Sequence, residues 1–340
     1  MKREKIWFPE ANRAELTVDE IEERPGPGQV LIRTAYSTVS PGTEKANITG
    51  NPNVGPASGP SVKFPRCLGY SSAGVVAAVG EGVTRVKPGD RAIGYWGVHA
   101  EYNLYPESRV VKIPYENLGL REAAALFIST FPMAAIRKTR LEMGESCMVM
   151  GLGLLGQFAV RLARCAGGAP VVAADPVAER RENAIKGGAD CAFDPFEKDF
   201  AQRVKEVTGG GVNAAIEVTG QGAGLDETLD CMARFGRVAL LGCTRDPNFT
   251  IDYYRKIHAP GITLIGAHTN ARPMEESHPG WFTHDDDLAA AMRLCAMGRL
   301  DVKSMLGPLH EPADCPQVYD RLIHDRNFPM MLQFDWTKEA

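Results

Sequence analysis

Long apolar runs and paired cysteines are both missing from this sequence of 340 residues. No stretch approaches the ~18 apolar residues that a membrane-spanning helix needs, and Met1–Pro9 lacks the apolar core of a signal peptide. The eight cysteines stand singly, without a Cys-x-x-Cys pair, which disfavours a disulfide framework and suits a reducing compartment. We therefore expect a soluble protein of the cytoplasm.

A strong charge of either sign is missing as well. The formal net charge is −4, with 24% charged and 44% hydrophobic residues, values that are ordinary for a globular protein. Nothing in this balance favours a nucleic acid or a membrane surface as a partner. At roughly 150 residues per domain, the length predicts two domains.

The residue pattern changes near residue 120. Before that point, alternating segments such as Gln29–Ser37 and buried-strand patterns such as Ala73–Val79 are separated by Pro-Gly turns, which predicts a mostly β unit. After it, short apolar strands alternate with helical segments, for example Val171–Ala174 before Ala178–Lys186. Such alternation predicts an α/β unit with a parallel, doubly wound sheet.

A glycine-rich turn is the strongest motif. Gly151–Leu–Gly–Leu–Leu–Gly156 follows the apolar segment Ser146–Met150 and precedes the helical segment Leu154–Cys165, which is the context that a dinucleotide site requires. The first glycine permits a tight turn, the second lets a pyrophosphate approach the backbone, and the third lets the helix pack against the strand. The helix N-terminus then offers amide groups to the phosphates. A strand–helix turn without a ligand is the less favoured alternative. The predicted contacts are Gly151, Gly153, Leu154, Leu155 and Gly156.

An acidic residue follows the next predicted strand. Asp175 lies at about the spacing expected of the carboxylate that binds the adenosine ribose hydroxyls. A carboxylate there repels a 2′-phosphate, so NAD is favoured over NADP. Arg180 and Arg181 follow soon after and could serve a phosphate, although a solvated helix face is the alternative for both. We predict NAD as the cofactor, with Asp175 and Arg180 in its site.

Three motifs together resemble the medium-chain dehydrogenase/reductase superfamily, which includes alcohol, sorbitol and threonine dehydrogenases and quinone reductases. They are Gly-Tyr-Ser-Ser-Ala-Gly-Val-Val at 69–76, Pro-Gly-Asp-Arg at 88–91 and the glycine turn at 151–156. The resemblance covers almost the whole chain.

The resemblance implies a fold and a division of the chain. A GroES-like, β-rich catalytic domain is expected over 1–122, completed by 270–340, and a Rossmann domain with a doubly wound parallel sheet over 123–269. The resemblance also implies an active site in the cleft between the two domains and assembly into a homodimer or homotetramer.

The metal positions depart from the pattern of the zinc-dependent members. Those members carry Cys-Gly-Thr-Asp in the first loop and Gly-His-Glu before the buried strand, where this chain has Pro41–Glu44 and Gly69–Ser71. The third ligand position falls near Ile128–Ser129, and the four-cysteine lobe that would follow Arg91 is absent. Zinc prefers thiolate, imidazole and carboxylate ligands, so we predict that no metal is bound.

The segment Ser40–Glu44, together with His99, resembles a zinc-free branch of the superfamily. That branch includes bacteriochlorophyllide-hydroxyethyl dehydrogenases and sugar-linked homologues. Without zinc, side chains must take the hydroxyl proton and stabilise the developing alkoxide. We predict His99 as the better candidate for the proton, because imidazole titrates near neutrality, with Tyr70 and Glu44 assisting. The alternatives are a histidine satisfied inside the β unit, an aromatic ring that fills the vacated space and a structural salt bridge.

The remaining site residues follow from the resemblance. Thr43 and Trp96 are implied to line the substrate site. His268, Asn270 and Arg272 follow a late Rossmann strand and are polar enough to bind hydroxyls or a carboxylate, although an interface loop is the alternative. Further cofactor contacts are expected at strand ends and at the neighbouring segments, namely Thr130, Val218, Thr219, Gly242, Cys243, Gly266 and Ala267.

These expectations favour a zinc-independent, NAD(H)-dependent dehydrogenase. Its substrate would be a small-molecule secondary alcohol or the matching ketone, on a sugar, polyol or glycoside. A zinc-free quinone or enoyl reductase is the second enzyme hypothesis, but the glycine turn, the first loop and Asp175 each differ from the pattern of those relatives. A dinucleotide-binding protein without catalysis is the third hypothesis, kept open by the loss of the metal ligands.

Overall fold

The structure is a computed structural model that describes residues 1–50, 63–244, 248–325 and 327–337. Its strands are β1 (Lys2–Trp7), β2 (Glu15–Glu20), β3 (Gln29–Val39), β4 (Ser71–Val79), β5 (Arg91–Tyr95), β6 (Tyr102–Pro106), β7 (Val110–Lys112), β8 (Cys147–Met150), β9 (Val171–Ala174), β10 (Cys191–Phe193), β11 (Val212–Glu217), β12 (Met232–Leu240), β13 (Thr263–Gly266), β14 (Leu309–His310) and β15 (Leu332–Asp335). Its α-helices are α1 (Pro41–Ile48), α2 (Leu120–Thr139), α3 (Leu154–Cys165), α4 (Ala178–Lys186), α5 (Phe200–Thr208), α6 (Gly222–Asp230), α7 (His284–Ala296) and α8 (Cys315–His324).

Contacts divide the chain into two units, one of Met1–Ile128 and Leu288–Ala340 and the other of Ser129–Asp287. The first unit holds the hairpin β1–β2 and a seven-stranded sheet in the order β14-β15-β3-β4-β5-β7, with β6 paired to β3. Except for the parallel pair β14–β15, neighbouring strands of the seven-stranded sheet are antiparallel. This β-rich unit confirms the predicted GroES-like half.

Apolar side chains from distant parts of the chain close the first unit. The ring of Phe8 packs edge-on against Tyr319 of α8, with 4.8 Å between ring centroids, and Phe334 of β15 lies in the same buried cluster. A second cluster joins Val30 and Ile32 of β3 to other buried residues of the sheet. Burying an aromatic side chain of this size removes a large apolar area from water, so the C-terminal segment is an integral part of this unit.

The second unit is built on a six-stranded parallel sheet in the order β10-β9-β8-β11-β12-β13. All four residues of β8 and of β9 are buried, as expected for parallel strands that helices cover on both faces. The strand order reverses between β8 and β11, and ligands of such sheets bind at the carboxyl ends of the strands at this reversal. The predicted Rossmann fold is confirmed.

The segment 270–287 belongs to the second unit, whereas the sequence analysis placed it with the first. The reason is a buried group of charges: Arg272 Nη1 lies 3.1 Å from Asp287 Oδ2, and Arg137 Nε lies 2.8 Å from Asp287 Oδ1. The Asp287 carboxylate thus joins Arg272 of the segment to Arg137 of α2. Because Arg137 and Asp287 lie far apart in the sequence, no local sequence pattern predicts that they pair.

In the described part of the chain, no helix is both long enough and apolar enough to cross a membrane.

Candidate functional site

The glycine turn has the geometry of a phosphate cradle. Gly151 adopts φ +91° and a Cβ there would lie 2.9 Å from Thr219 Cγ2, while a Cβ on Gly156 would overlap the carbonyl oxygen of Gly151. A Cβ on Gly153, in contrast, would meet no atom within 4 Å. Gly153 is the N-cap of α3 and brings no side chain to its free amide groups. The turn therefore leaves open space at Gly153 and backbone N–H donors at the N-terminus of α3, a position that favours an anion.

Asp175 stands directly beyond β9, next to this turn. Its Oδ2 accepts the amide of Leu152 at 2.8 Å and its Oδ1 accepts the amide of Val177 at 2.9 Å. Arg180 Nη1 lies 3.6 Å from Asp175 Oδ2 and is half exposed. The two predicted cofactor residues thus lie together, with the carboxylate fixed by backbone amides.

The carboxyl ends of β11 and β12 meet as a tight pair of turns. Glu217 accepts the amides of Thr219 at 2.8 Å and Gly220 at 3.1 Å, as well as the Thr219 hydroxyl. Gly220 adopts φ +64°, and a Cβ on Gly242 would overlap its amide. The predicted residues Val218, Thr219, Gly242 and Cys243 all lie at these two strand ends.

Glu217 itself was missed by sequence reasoning. It ends the apolar strand β11, and its side chain is buried, which raises the pKa of its carboxyl group. A lone acidic residue that ends an apolar strand just before Val-Thr-Gly was the available signal. Its role in this structure is to shape the turn after β11.

A buried carboxylate organises the first unit near α1. Glu44, 1% exposed, accepts the amide of Ser40 at 2.8 Å and the hydroxyl of Tyr319 at 2.6 Å. His99 Nε2 lies 3.2 Å from Glu44 Oε2. Three partners therefore surround a carboxylate that has almost no contact with solvent.

The structure contradicts the expectation that His99 or Glu44 exchanges a proton directly with substrate. The His99 ring is 0% exposed. Its Nδ1 lies 2.7 Å from Ser37 Oγ, which also accepts the indole N–H of Trp336 at 2.9 Å, and its Nε2 faces Glu44. Both ring nitrogens are thus engaged inside the unit, and neither side chain reaches a surface where a substrate could bind.

Tyr70 remains the catalytic candidate, because it is largely buried at 9% exposure but lies against the partly exposed Trp96. Its hydroxyl donates to Ser40 Oγ at 2.6 Å, and its ring lies 5.4 Å from that of Trp96 and 6.0 Å from that of Phe127. Trp96 is partly exposed and adopts φ +58°, a left-handed conformation that a bulky residue rarely accepts and that often marks a functional position. Thr43 is exposed on α1, and its substrate contact stays a prediction.

The zinc that the superfamily implies does not fit these residues. Pro41, Tyr70, Ser71 and Ser129 stand at the expected ligand positions, and Tyr70 and Ser71 are hydrogen-bonded to Ser40 and to the carbonyl of Ala124. A structural zinc site supplies about four thiolate, imidazole or carboxylate ligands. A catalytic zinc site supplies three, and water or substrate takes the remaining position. Over the residues that the structure describes, no group of three or more His, Cys, Asp or Glu side chains is placed to hold a metal ion.

Burial also corrects two other predictions, the substrate contact of Arg272 and the cofactor contact of Thr130. Arg272 is committed to Asp287 and donates to the carbonyl of Thr130 at 2.8 Å, so it does not present its guanidinium to a substrate. Thr130 is 0% exposed and its hydroxyl lies 3.2 Å from His284 Nδ1, so its side chain does not face a cofactor. His268 and Asn270 are exposed, and their substrate contacts stay a prediction.

Lys138 fixes the segment that follows β13. Its Nζ donates to the carbonyl of Gly266 at 3.1 Å and to that of Ala271, and it lies 4.7 Å from the centre of the Trp281 ring. Ala267 is buried and its amide donates to the carbonyl of Leu240. Burial lowers the pKa of Lys138, and the nearby Arg272 adds to the effect. Gly266 and Ala267 thus lie beside the end of β12, and their cofactor contact stays a prediction.

Comparisons with known proteins agree with this architecture. Residues 26–115 match the alcohol dehydrogenase GroES-like domain family, and residues 155–279 match the zinc-binding dehydrogenase family. The chain belongs to the medium-chain dehydrogenase/reductase superfamily. Within it, L-threonine 3-dehydrogenase of Pyrococcus horikoshii is 27% identical over 317 residues, covering 83% of this chain and 84% of that protein. D-guloside 3-dehydrogenase of Escherichia coli is 25% identical over 259 residues, covering 75% and 73%.

Solved structures share the fold over almost the whole chain. An alcohol dehydrogenase from Escherichia coli CFT073 complexed with NADH has a TM-score of 0.82 at 18% identity, covering 98% of this chain and 99% of that chain. A zinc-binding dehydrogenase from Sinorhizobium meliloti bound to NADP has a TM-score of 0.81 at 20% identity, with the same coverage. The curated relatives are named threonine and alcohol dehydrogenases, and this chain is accordingly an oxidoreductase that acts on CH–OH groups.

Proposed function

We propose that this chain is a zinc-independent, NAD(H)-dependent dehydrogenase that oxidises a secondary alcohol of a sugar, polyol or glycoside, or reduces the matching ketone. The observation that carries the proposal is the Tyr70 hydroxyl, which stands at a metal-ligand position of the superfamily and donates to Ser40 Oγ at 2.6 Å. A hydroxyl held there is a proton donor and acceptor at the point where the zinc members place a Lewis acid.

The second unit would hold the cofactor. The amide groups at the start of α3 would bind the pyrophosphate, Asp175 the adenosine ribose, and the turns at Val218–Gly220 and Gly242 would border the nicotinamide. When bound, NAD accepts the hydride that leaves the alcohol carbon. The protein must therefore bind the substrate oxygen and manage its proton.

Tyr70 and Ser40 would perform this second task. The Tyr70 hydroxyl can turn its hydrogen bond from Ser40 to a substrate oxygen, because both are oxygen acceptors of similar strength. In the reduction direction the Tyr70 hydroxyl gives its proton to the forming alkoxide and becomes a phenolate, and in the oxidation direction that phenolate takes the proton of the substrate hydroxyl. A donor placed at the developing charge stabilises the transition state more than the ground state.

A carbohydrate substrate suits the exposed side chains of the first unit. The partly exposed indole of Trp96 offers an apolar face, and Thr43 offers an exposed hydroxyl. His268 and Asn270 are exposed polar residues of the second unit, and their contact with a substrate stays a prediction. A sugar ring combines apolar C–H faces with hydroxyl edges, and ligand sites generally pair an apolar wall with a few polar groups. The similarity to a D-guloside 3-dehydrogenase also supports this substrate class.

Turnover decides between the three functional hypotheses. Purified protein is incubated with NAD or NADP and a panel of sugars, polyols and glycosides, and reduced cofactor is followed by absorbance, with quinones and enoyl compounds as the second panel. We expect reduction of NAD with at least one carbohydrate. Activity restricted to quinones or enoyl substrates supports the reductase hypothesis, and cofactor binding without turnover supports the non-catalytic one.

Replacing Asp175 by alanine is expected to weaken NAD binding by about 1–3 kcal/mol, because charge-assisted hydrogen bonds to the ribose are lost. The same change removes the carboxylate that repels a 2′-phosphate and leaves Arg180 nearby, so NADP should lose less affinity than NAD. Titration of both cofactors by fluorescence or calorimetry measures the two values. Tighter binding of NADP than of NAD by the unmodified protein would refute the NAD assignment.

Two further properties stay predictions. Self-association into a homodimer or homotetramer is checked by sedimentation at several concentrations. A cytoplasmic location rests on the eight single cysteines of the sequence and is checked by cell fractionation.

A further inference from the structure

We propose that Glu44, His99 and Tyr319 form a buried hydrogen-bond network that does the positioning a metal ion would do: it holds the turn at Ser40 against the segment before β4 that carries Tyr70. The zinc-dependent members draw ligands from both of these segments, so their metal joins them. This chain lacks that ligand set but joins the same segments through side chains. The inference rests on the proposed function in that Tyr70 is taken to contact the substrate.

Glu44 holds the turn. Its Oε1 accepts the amide of Ser40 at 2.8 Å, and the hydroxyl of the same Ser40 accepts the Tyr70 hydroxyl at 2.6 Å. Ser40 is thus fixed through its backbone by Glu44 and meets Tyr70 through its side chain. A displacement of the carboxylate therefore moves the atom that orients the Tyr70 hydroxyl.

His99 supports the segment before β4 that carries Tyr70. Its amide donates to the carbonyl of Leu68 at 2.9 Å. Gly69 packs against it so closely that a Cβ at Gly69 would lie 2.7 Å from the His99 amide nitrogen and 2.8–2.9 Å from its ring carbons. The backbone immediately before Tyr70 therefore rests on the imidazole, whose Nε2 lies 3.2 Å from Glu44.

Tyr319 and the pair Ser37–Trp336 complete the network. Tyr319 comes from α8 and donates to Glu44 Oε2 at 2.6 Å, and burial together with Glu44 raises its pKa far enough to keep the hydroxyl protonated. A carboxylate without solvent contact is costly unless donors surround it. Removing one donor leaves a lone pair unsatisfied and forces the carboxylate to move, so the network acts as a unit.

The decisive test observes Tyr70 without relying on turnover. All nine tyrosines are replaced by 3-fluorotyrosine, and the ¹⁹F signal of Tyr70 is assigned as the one missing in Tyr70→Phe. Tyr319→Phe removes one buried hydroxyl and keeps the ring that packs on Phe8. Tyr105→Phe is the matched control, because Tyr105 is also buried in the first unit and its hydroxyl lies 3.0 Å from Ser72 Oγ.

We expect the Tyr70 signal to move in Tyr319→Phe, to move further in Glu44→Gln and to stay in place in Tyr105→Phe. A Tyr70 signal in Tyr319→Phe at the position of the unmodified protein overturns the proposal. An equal displacement in Tyr105→Phe overturns it as well, because any buried hydroxyl of the unit would then have the same effect.

Kinetics separate this proposal from the proposed function. In Tyr319→Phe, kcat should fall about tenfold, the effect of one hydrogen bond, while KM for NAD stays unchanged because the predicted cofactor residues lie in the other unit. If the unmodified protein turns over no alcohol, the proposed function fails and the ¹⁹F comparison still decides the network. A fall of KM and kcat in equal measure in both Tyr319→Phe and Tyr105→Phe contradicts a positioning role.

Discussion

Replacing Tyr70 by phenylalanine is expected to lower kcat by about 10²–10⁴, the range over which a positioned acid–base group accelerates proton transfer. The substitution removes only the hydroxyl and its hydrogen bond to Ser40. The ring keeps its packing against Trp96 and Phe127, whose centroids lie 5.4 and 6.0 Å away, so the fold should persist. Steady-state kinetics with the best substrate of the carbohydrate panel give the value.

The pattern of kinetic constants distinguishes chemistry from binding. A loss of transition-state stabilisation lowers kcat and kcat/KM together, whereas a loss of uniform binding raises KM alone. We expect the first pattern, with KM for NAD unchanged and Tyr105→Phe close to the unmodified enzyme. A Tyr70→Phe variant that retains nearly full kcat shows that the proton is transferred elsewhere.

Acidification is expected to lower the free energy of unfolding, because His284 takes up a proton more readily in the unfolded chain than in the folded one. Its ring is buried at the start of α7 beside Thr130 and Phe131. Burial, and secondarily the charge of Arg272, lowers its pKa from 6.5 to about 3. The unfolded chain therefore binds a proton below pH 6.5 that the folded chain does not bind. The stabilisation is complete above pH 6.5 and is lost as the pH falls toward 3.

The slope of this loss is fixed by linkage at roughly 1.4 kcal/mol for each pH unit. The whole interval between the two pKa values of 6.5 and about 3 therefore amounts to about 5 kcal/mol. Urea unfolding at a series of pH values between 7 and 4 measures the upper part of this loss. His284→Asn keeps a polar group near Thr130 but does not titrate, so its stability should depend less on pH in this interval. Parallel curves for the two proteins would contradict the lowered pKa of His284 in the folded state.

Features with a local pattern could be predicted from the sequence. The glycine turn, the strand before it and the helix after it are contiguous, and Asp175 follows one strand later, so their positions in a parallel sheet follow from chain order. The zinc ligand positions were equally local, because each belongs to a short motif. The structure confirms the order of β8, the glycine turn and α3 and places Asp175 directly after β9, whereas the roles of the site residues stay predictions.

Features that depend on distant partners could not be predicted. His99 stands at a position that lines the site in relatives, but Tyr319 and Trp336, more than 200 positions along the chain, complete a network around it that excludes substrate. Arg272 is of a residue type that often binds substrates. Only the folded structure shows that its guanidinium pairs with Asp287. A buried polar residue and a catalytic one use the same residue types, so the sequence alone does not distinguish them.

Metal content measured together with turnover tests the central claim most directly. Protein purified without chelator is analysed for zinc by mass spectrometry, and its turnover with NAD and the best carbohydrate substrate is compared before and after exhaustive chelation. The account predicts less than stoichiometric zinc and unchanged turnover. One zinc per chain, with turnover that disappears on its removal and returns when zinc is restored, would contradict it.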